Sequence, residues 1–156
     1  MNAEERTELL VRYRQGAEEV RSALHGITEV ELDAHLPGEW SARQVAHHLA
    51  DAETRAYTRL RQLLAEDSPV IHGYDENKYA EMLHYERPVE SSLAILDAVR
   101  AASAELLDHL REPEWSRAGT HTESGPYSVE RWLRIYADHA HDHADQIRRA
   151  RQTPTS

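Results

Sequence analysis

The sequence predicts an all-α protein, a four-helix bundle with long connections and a short extra helix. Three observations predict it. Apolar residues recur at steps of three and four through four stretches of roughly 20 residues, the spacing of amphipathic helices. Strand-like alternation is almost absent. Ser, Thr, Pro and Gly stand where such helices should start and stop. The chain is 156 residues long, enough for one domain. That domain is expected over residues 1–151, with 152–156 as a flexible tail.

The first helix is expected from about Ala3 to His25, where Leu9, Leu10, Tyr13, Ala17, Val20 and Leu24 form one apolar stripe. Thr28 to Glu31 has the form of a capping box, opening a short turn that ends near Leu36-Pro37-Gly38. Ser41 and Gln44 form a second box at the head of the next long helix. Its stripe is Val45, Leu49, Ala52, Ala56, Leu60 and Leu63, and it should end before Ser68-Pro69. A polar connection, Pro69 to Tyr74, leads to the short extra helix, about Glu76 to His84. Pro88 suits the first turn of the third long helix. Leu93, Leu96, Leu106, Leu107 and Leu110 mark its buried face, and Pro113 should stop it. Glu114–Pro126, with Gly119, Gly125 and Pro126, is expected to be a loop. Ser128 caps the last helix, whose Val129, Trp132, Leu133, Tyr136, Ala140 and Ile147 face the core. Arg148, Arg149 and Arg151 then suit the negative end of its dipole.

Composition excludes several functions. There is no cysteine, so disulfides, thiolate zinc sites, iron–sulfur clusters and a cysteine nucleophile are out. Eighteen Lys+Arg against 28 Asp+Glu give a net charge of −10, which should repel a phosphate backbone, so no nucleic-acid partner is expected. No run approaches the ~18 apolar residues of a membrane span, and MNAEERTELL has no apolar signal core. A cytoplasmic protein without a membrane partner is the expectation. No Gly-x-Ser-x-Gly elbow supports serine catalysis.

The unusual feature is 11 His, five of them in two clusters. His48 lies three residues after Val45 and four before Ala52, in phase with the apolar stripe, so it should point into the bundle. His47, turned about 100° away, should lie closer to solvent. In the last helix His139 and His143 are four apart and share the face of Trp132, Ile135, Tyr136 and Ile147, while His141 points elsewhere. Two imidazoles at this spacing can chelate one metal ion, and a third from a facing helix would leave coordination positions open for water or substrate. Asp51 and Asp142 are candidates to orient those imidazoles from behind. The competing reading is that these are hydrogen-bonded core histidines in a His-rich chain. His25, His35, His72, His84, His109 and His121 are read as surface residues, with the His72 loop a possible border of the site. A di-iron carboxylate bundle would need two Glu-x-x-His motifs, and Glu81-Met82-Leu83-His84 is a single copy.

The segment Trp40-Ser41-Ala42-Arg43-Gln44-Val45-Ala46-His47-His48-Leu49-Ala50-Asp51 resembles the second-helix motif of the DinB-like superfamily, and within it the bacillithiol transferase and metal-dependent hydrolase branch. His139-Ala140-His141-Asp142-His143-Ala144-Asp145-Gln146-Ile147 resembles the family's last-helix motif, and Pro69 to Glu76 its connection after the second helix. The resemblance runs from about Glu31 to Arg151. It departs at Asp142, where relatives often have His, and at Tyr79, where that branch tends to have Trp. The resemblance implies a DinB-type bundle, often a homodimer, holding a divalent ion (zinc or nickel) through His48, His139 and His143. It implies a metal-dependent thiol S-transferase that conjugates a low-molecular-weight, bacillithiol-like thiol to an electrophilic substrate. Two alternatives stand beside it: a hydrolase using metal-activated water, and a non-catalytic, stress-related metal-binding bundle.

Overall fold

The computed structural model describes residues 1–152. Most of the expected tail therefore lies outside the described residues. The elements are α1 (Ala3–Leu24), α2 (Glu29–Asp33), α3 (Ala42–Ala65), β1 (Val70–Ile71), α4 (Glu76–Met82), α5 (Glu90–Asp108), a 3-10 turn (Glu112–Ser116), β2 (Ala118–His121), β3 (Gly125–Ser128) and α6 (Val129–Ala150). The four long helices form the bundle. α1 packs on α6 and α5, and α3 packs on α5 and α6, so the order around the bundle is α1, α6, α3, α5. Among the described residues, no helix is long and apolar enough to cross a membrane.

The caps form as the sequence requires. Thr28 and Glu31 close a capping box at α2, and Ser41 and Gln44 close another at α3. Ser128 accepts from the Arg131 amide at the head of α6. Each cap satisfies amide groups that have no partner inside the first helical turn. The boundaries of α5 differ from expectation. Val89 is its N-cap, so Pro88 stands just before the helix, where its missing N–H costs no ladder hydrogen bond. The helix ends at Asp108, and Pro113 opens the following 3-10 turn instead of stopping α5.

The all-α expectation needs one addition. Glu114–Pro126 is not a loop but holds part of the 3-10 turn, β2 and the start of β3, which join β1 in a small sheet of order β1-β2-β3. β2 pairs antiparallel with β3, His121 opposite Gly125, and parallel with β1, Val70 opposite Thr120. Gly125, at φ +74°, makes the reversal between β2 and β3 in a region that side chains with a Cβ avoid. Strands of two to four residues are too short for alternation to show, so cross-strand pairing, not local pattern, creates them. The sheet positions the site's helices. β3 runs directly into α6, and the Val129 amide donates to the Arg117 carbonyl at 3.0 Å. β1 ties the connection after α3 to β2.

The α3 stripe from Val45 to Leu63 is buried throughout. The core has two apolar clusters, one around Tyr13, Leu60, Leu107 and Trp132, the other around Val20, Leu49, Leu96 and Ile147. Where they meet along α3, α5 and α6 stand Glu53, Arg100 and His139. Ile135, expected in the core with Trp132, is 40% exposed. It sits one residue before Tyr136, about 100° from the buried stripe, so the α6 core face is narrower than the sequence suggested.

Candidate metal centre

α3 delivers His48 and α6 delivers His139 and His143 to one place. Each ring offers a nitrogen, and these nitrogens all lie within 4.8 Å of one another. The ring centroids of His48 and His143 are 4.7 Å apart, those of His139 and His143 4.7 Å, and those of His48 and His139 5.7 Å. His48 is buried, and the two α6 imidazoles are half-buried. The i, i+4 step stacks the α6 pair, and the close packing of α3 on α6 brings the third ring across.

The outer nitrogens are held from behind. His139 Nδ1 lies 3.2 Å from Glu53 Oε1, and His143 Nδ1 lies 2.8 Å from Gln146 Oε1. Both oxygens are acceptors, so each Nδ1 carries its proton and each Nε2 keeps a lone pair. His48 Nδ1 is buried without a hydrogen-bond partner. Burial pushes the His48 pKa down to about 3, and the imidazoles of His143 and His139 push the same way. Burial and then His139 bring His143 down to about 4, against the Gln146 hydrogen bond. Two of the three imidazoles are thus firmly neutral near pH 7. A proton is the wrong cation for this cluster, whereas a divalent ion binds neutral imidazole lone pairs. The residues fit a three-nitrogen metal site.

Glu53 is anchored more deeply than the ring it holds. Its side chain is 0% exposed and pairs with Arg100 Nη1 at 2.6 Å. Arg100 also donates to the main-chain carbonyls of Tyr136, at 3.2 Å, and Tyr13. One salt bridge therefore ties α3 to α5, and its arginine reaches α1 and α6. Arg100 needs room: a Cβ on Gly16 would lie 2.6 Å from Arg100 Nη2 and 2.8 Å from Ala140 Cβ.

The remaining wall is aromatic. Trp40 packs against His48 with 4.9 Å between centroids and meets Tyr85 edge-on at 6.5 Å. Tyr136 meets His139 edge-on at 5.6 Å.

Several expectations are corrected here. His47 is not near solvent but fully buried, with Nδ1 2.8 Å from Ser92 Oγ and Nε2 2.9 Å from the Arg87 carbonyl. α3 is covered by α5 on one side and α6 on another, so neighbouring residues 100° apart can both be buried. Asp51 and Asp142 do not hold the imidazoles. Asp51 accepts from Tyr85 Oη at 2.6 Å, and Asp142 is exposed. Glu53 and Gln146 take the expected roles. His121 is 9% exposed, buried within β2 against Tyr127 and not on the surface. His25, His35, His72, His84 and His109 are exposed as expected. Glu53 was detectable: it lies four residues after Leu49, an acid in apolar phase. Arg100 lies in the same phase between Leu96 and Leu107.

Residues 12–147 match the sequence profile of the DinB superfamily. The chain belongs to the DinB superfamily. A relative from Oceanobacillus iheyensis is 36% identical over 129 residues, covering 82% of this chain and 75% of its own length. One from Halalkalibacterium halodurans is 30% identical over 134 residues, covering 83% and 78%. The names of both propose metal-dependent hydrolases. Among solved structures the chain is similar to YfiT from Bacillus subtilis, with a TM-score of 0.91 and 26% identity, over 97% of this chain and 89% of that one. YfiT is described as a probable metal-dependent hydrolase with an unusual four-helix bundle topology. In DinB terms, the resemblance seen in the Trp40–Asp51 and His139–Ile147 segments extends to the whole bundle.

Proposed function

We propose that this DinB-family protein is a metal-dependent enzyme that transfers a low-molecular-weight thiol to an electrophilic small molecule. The observation that carries the reading is the convergence of His48, His139 and His143 on one point with only three protein donors. Three donors leave positions open, which is the mark of a catalytic and not a structural site.

A divalent ion such as zinc or nickel, when bound, supplies Lewis acidity that favours the thiolate form of a thiol whose ordinary pKa is about 8.5. The chain has no cysteine, so the sulfur comes from a cosubstrate. The protein's own part is preorganisation. His48, His139 and His143 present imidazole nitrogens, Glu53 and Gln146 hold the rings of the last two, and Trp40 covers His48.

Hydrolysis by the same centre is the second reading, favoured by the names of the relatives and by the description of YfiT. The experiment loads the purified protein with zinc or nickel and follows consumption of bacillithiol, mycothiol and glutathione against a chlorobimane. Metal-dependent loss of thiol supports transfer. Turnover of an ester or amide panel without added thiol supports hydrolysis. Inactivity in both, with a large metal-dependent rise in Tm, points to a non-catalytic metal-binding bundle.

A further inference from the structure

Beyond the histidine centre, three arginines of α3, Arg55, Arg59 and Arg61, form no ion pair among the described residues, and two of them share one cleft. Arg55 and Arg59 are one helical turn apart and line a cleft of about 290 Å3 together with Thr54, Thr58 and His72. Most other arginines pair with carboxylates, Arg43 with Asp33 and Glu29 and Arg148 with Glu19 among them. Arg55 and Arg59 form no ion pair among the described residues, in a chain of net charge −10.

Neutral groups hold both guanidiniums in place. Arg55 donates to Tyr79 Oη and lies over the Tyr74 ring, 4.2 Å from its centroid. Arg59 donates to Tyr136 Oη at 3.0 Å and to the His72 carbonyl at 2.7 Å. Such partners orient a cation without neutralising it. The Tyr74 hydroxyl adds a buried polar atom with no partner. The buried Tyr136 side chain stands between the cleft and the histidines. Tyr136 touches both Arg59 and the His139 ring. Arg55 follows His48 by seven residues, two turns on the same side of α3, or roughly 10 Å along the axis.

We propose that Arg55 and Arg59 form a subsite for a carboxylate or phosphate group of the small-molecule substrate, placing its reacting end at His48, His139 and His143. This inference deepens the thiol-transfer reading and rests on it for the identity of the reacting end. The anion subsite itself needs no metal. Guanidinium forks match carboxylate and phosphate oxygens, and half-burial strengthens such charge-assisted bonds.

The test is an NMR titration of the metal-free protein, following the Arg55 and Arg59 Nε–Hε signals. The probes are S-methylglutathione, succinate and inorganic phosphate. S-methylglutathione keeps the carboxylates of a thiol cosubstrate and cannot react. Saturable shifts of both signals are expected. Saturation by the first two alone assigns a carboxylate site, and saturation by phosphate alone assigns a phosphate site. Arg55→Gln and Arg59→Gln should each weaken binding about tenfold, the scale of one charge-assisted hydrogen bond. Arg55→Lys should retain part of it. In the metal-loaded enzyme, Arg55→Gln should raise KM for glutathione by a similar factor. If no probe moves either signal in the folded wild type, the subsite is refuted whatever the activity. If the probes bind and no thiol is consumed, the subsite stands and the transfer reading fails.

Discussion

Glu53 Oε1 stands 3.2 Å from His139 Nδ1 across 86 residues of sequence, and the same oxygen lies 2.6 Å from Arg100 Nη1. A buried acid thus grips a candidate metal ligand on one side and is gripped by a buried guanidinium on the other. This arrangement fixes the ring's orientation and its tautomer. Glu53→Gln should therefore lower metal affinity by about 10- to 100-fold. Competition with a chromophoric chelator measures it. Unchanged affinity in a folded variant would show that Glu53 serves the core alone.

Replacing His48, His139 and His143 by Ala should abolish metal binding in the triple variant, and each single change should reduce stoichiometry. Inductively coupled plasma measurement of protein-bound zinc and nickel reads this directly. A triple variant that keeps one ion per chain would remove the assignment.

His47 should behave unlike its neighbour. Its ring joins α3 to Ser92 and to the Arg87 carbonyl, so His47→Ala leaves the buried Ser92 hydroxyl and the part-buried Arg87 carbonyl without this partner. The cost should be about 1–3 kcal/mol of stability, with metal stoichiometry unchanged. Urea unfolding and metal analysis on the same preparation separate the two adjacent histidines.

The metal-free protein should lose stability on mild acidification. His48 and His143 titrate near 3 and 4 when folded, and burial lowers His47 too, while unfolded histidine titrates near 6.5. Between those limits the unfolded chain binds more protons than the folded one, so stability rises with pH and is lost as pH falls below about 6.5. The slope approaches about 1.4 kcal/mol per pH unit for each such histidine. Urea midpoints at pH 7.5 and 5.5 bracket the window above most carboxylate titration. Equal midpoints would contradict the neutral buried imidazoles.

Gly16→Ala should destabilise, although alanine is normally the better helix former by about 1 kcal/mol. The new Cβ would collide with Arg100 Nη2 and Ala140 Cβ. Overpacking of this kind costs about 1–3 kcal/mol, and the displaced Arg100 should weaken metal affinity through Glu53. Thermal melts with and without added zinc would show both effects, and a raised Tm would refute the tight contact.

Much of the bundle was legible in the sequence because the signals are local. The capping boxes at Thr28 and Ser41 and the 3.6-residue stripe of α3 depend on residues within a few positions of one another. The pairing of His139 with His143 on one face is likewise a matter of four residues of helix. His48 was legible as an inward-facing residue from its phase with Val45 and Ala52, and the family resemblance supplied its place beside the α6 pair.

The residues that escaped have partners far away in the chain. The strands of β1, β2 and β3 exist through hydrogen bonds to one another, over lengths where local preference is weak. The burial of His47 follows from α5 covering a second side of α3. The choice of Glu53 and Gln146 over Asp51 and Asp142 follows from side-chain direction, which the packing of α3 against α6 decides. By itself, then, the sequence determined the helices, their inward faces and the residues able to donate to an ion, since helical periodicity is a property of neighbouring positions. Only the tertiary structure decided that three imidazoles from two helices meet, which carboxylate stands behind them, and which arginines are left without acids, since these depend on distances between segments that the chain's order does not encode locally.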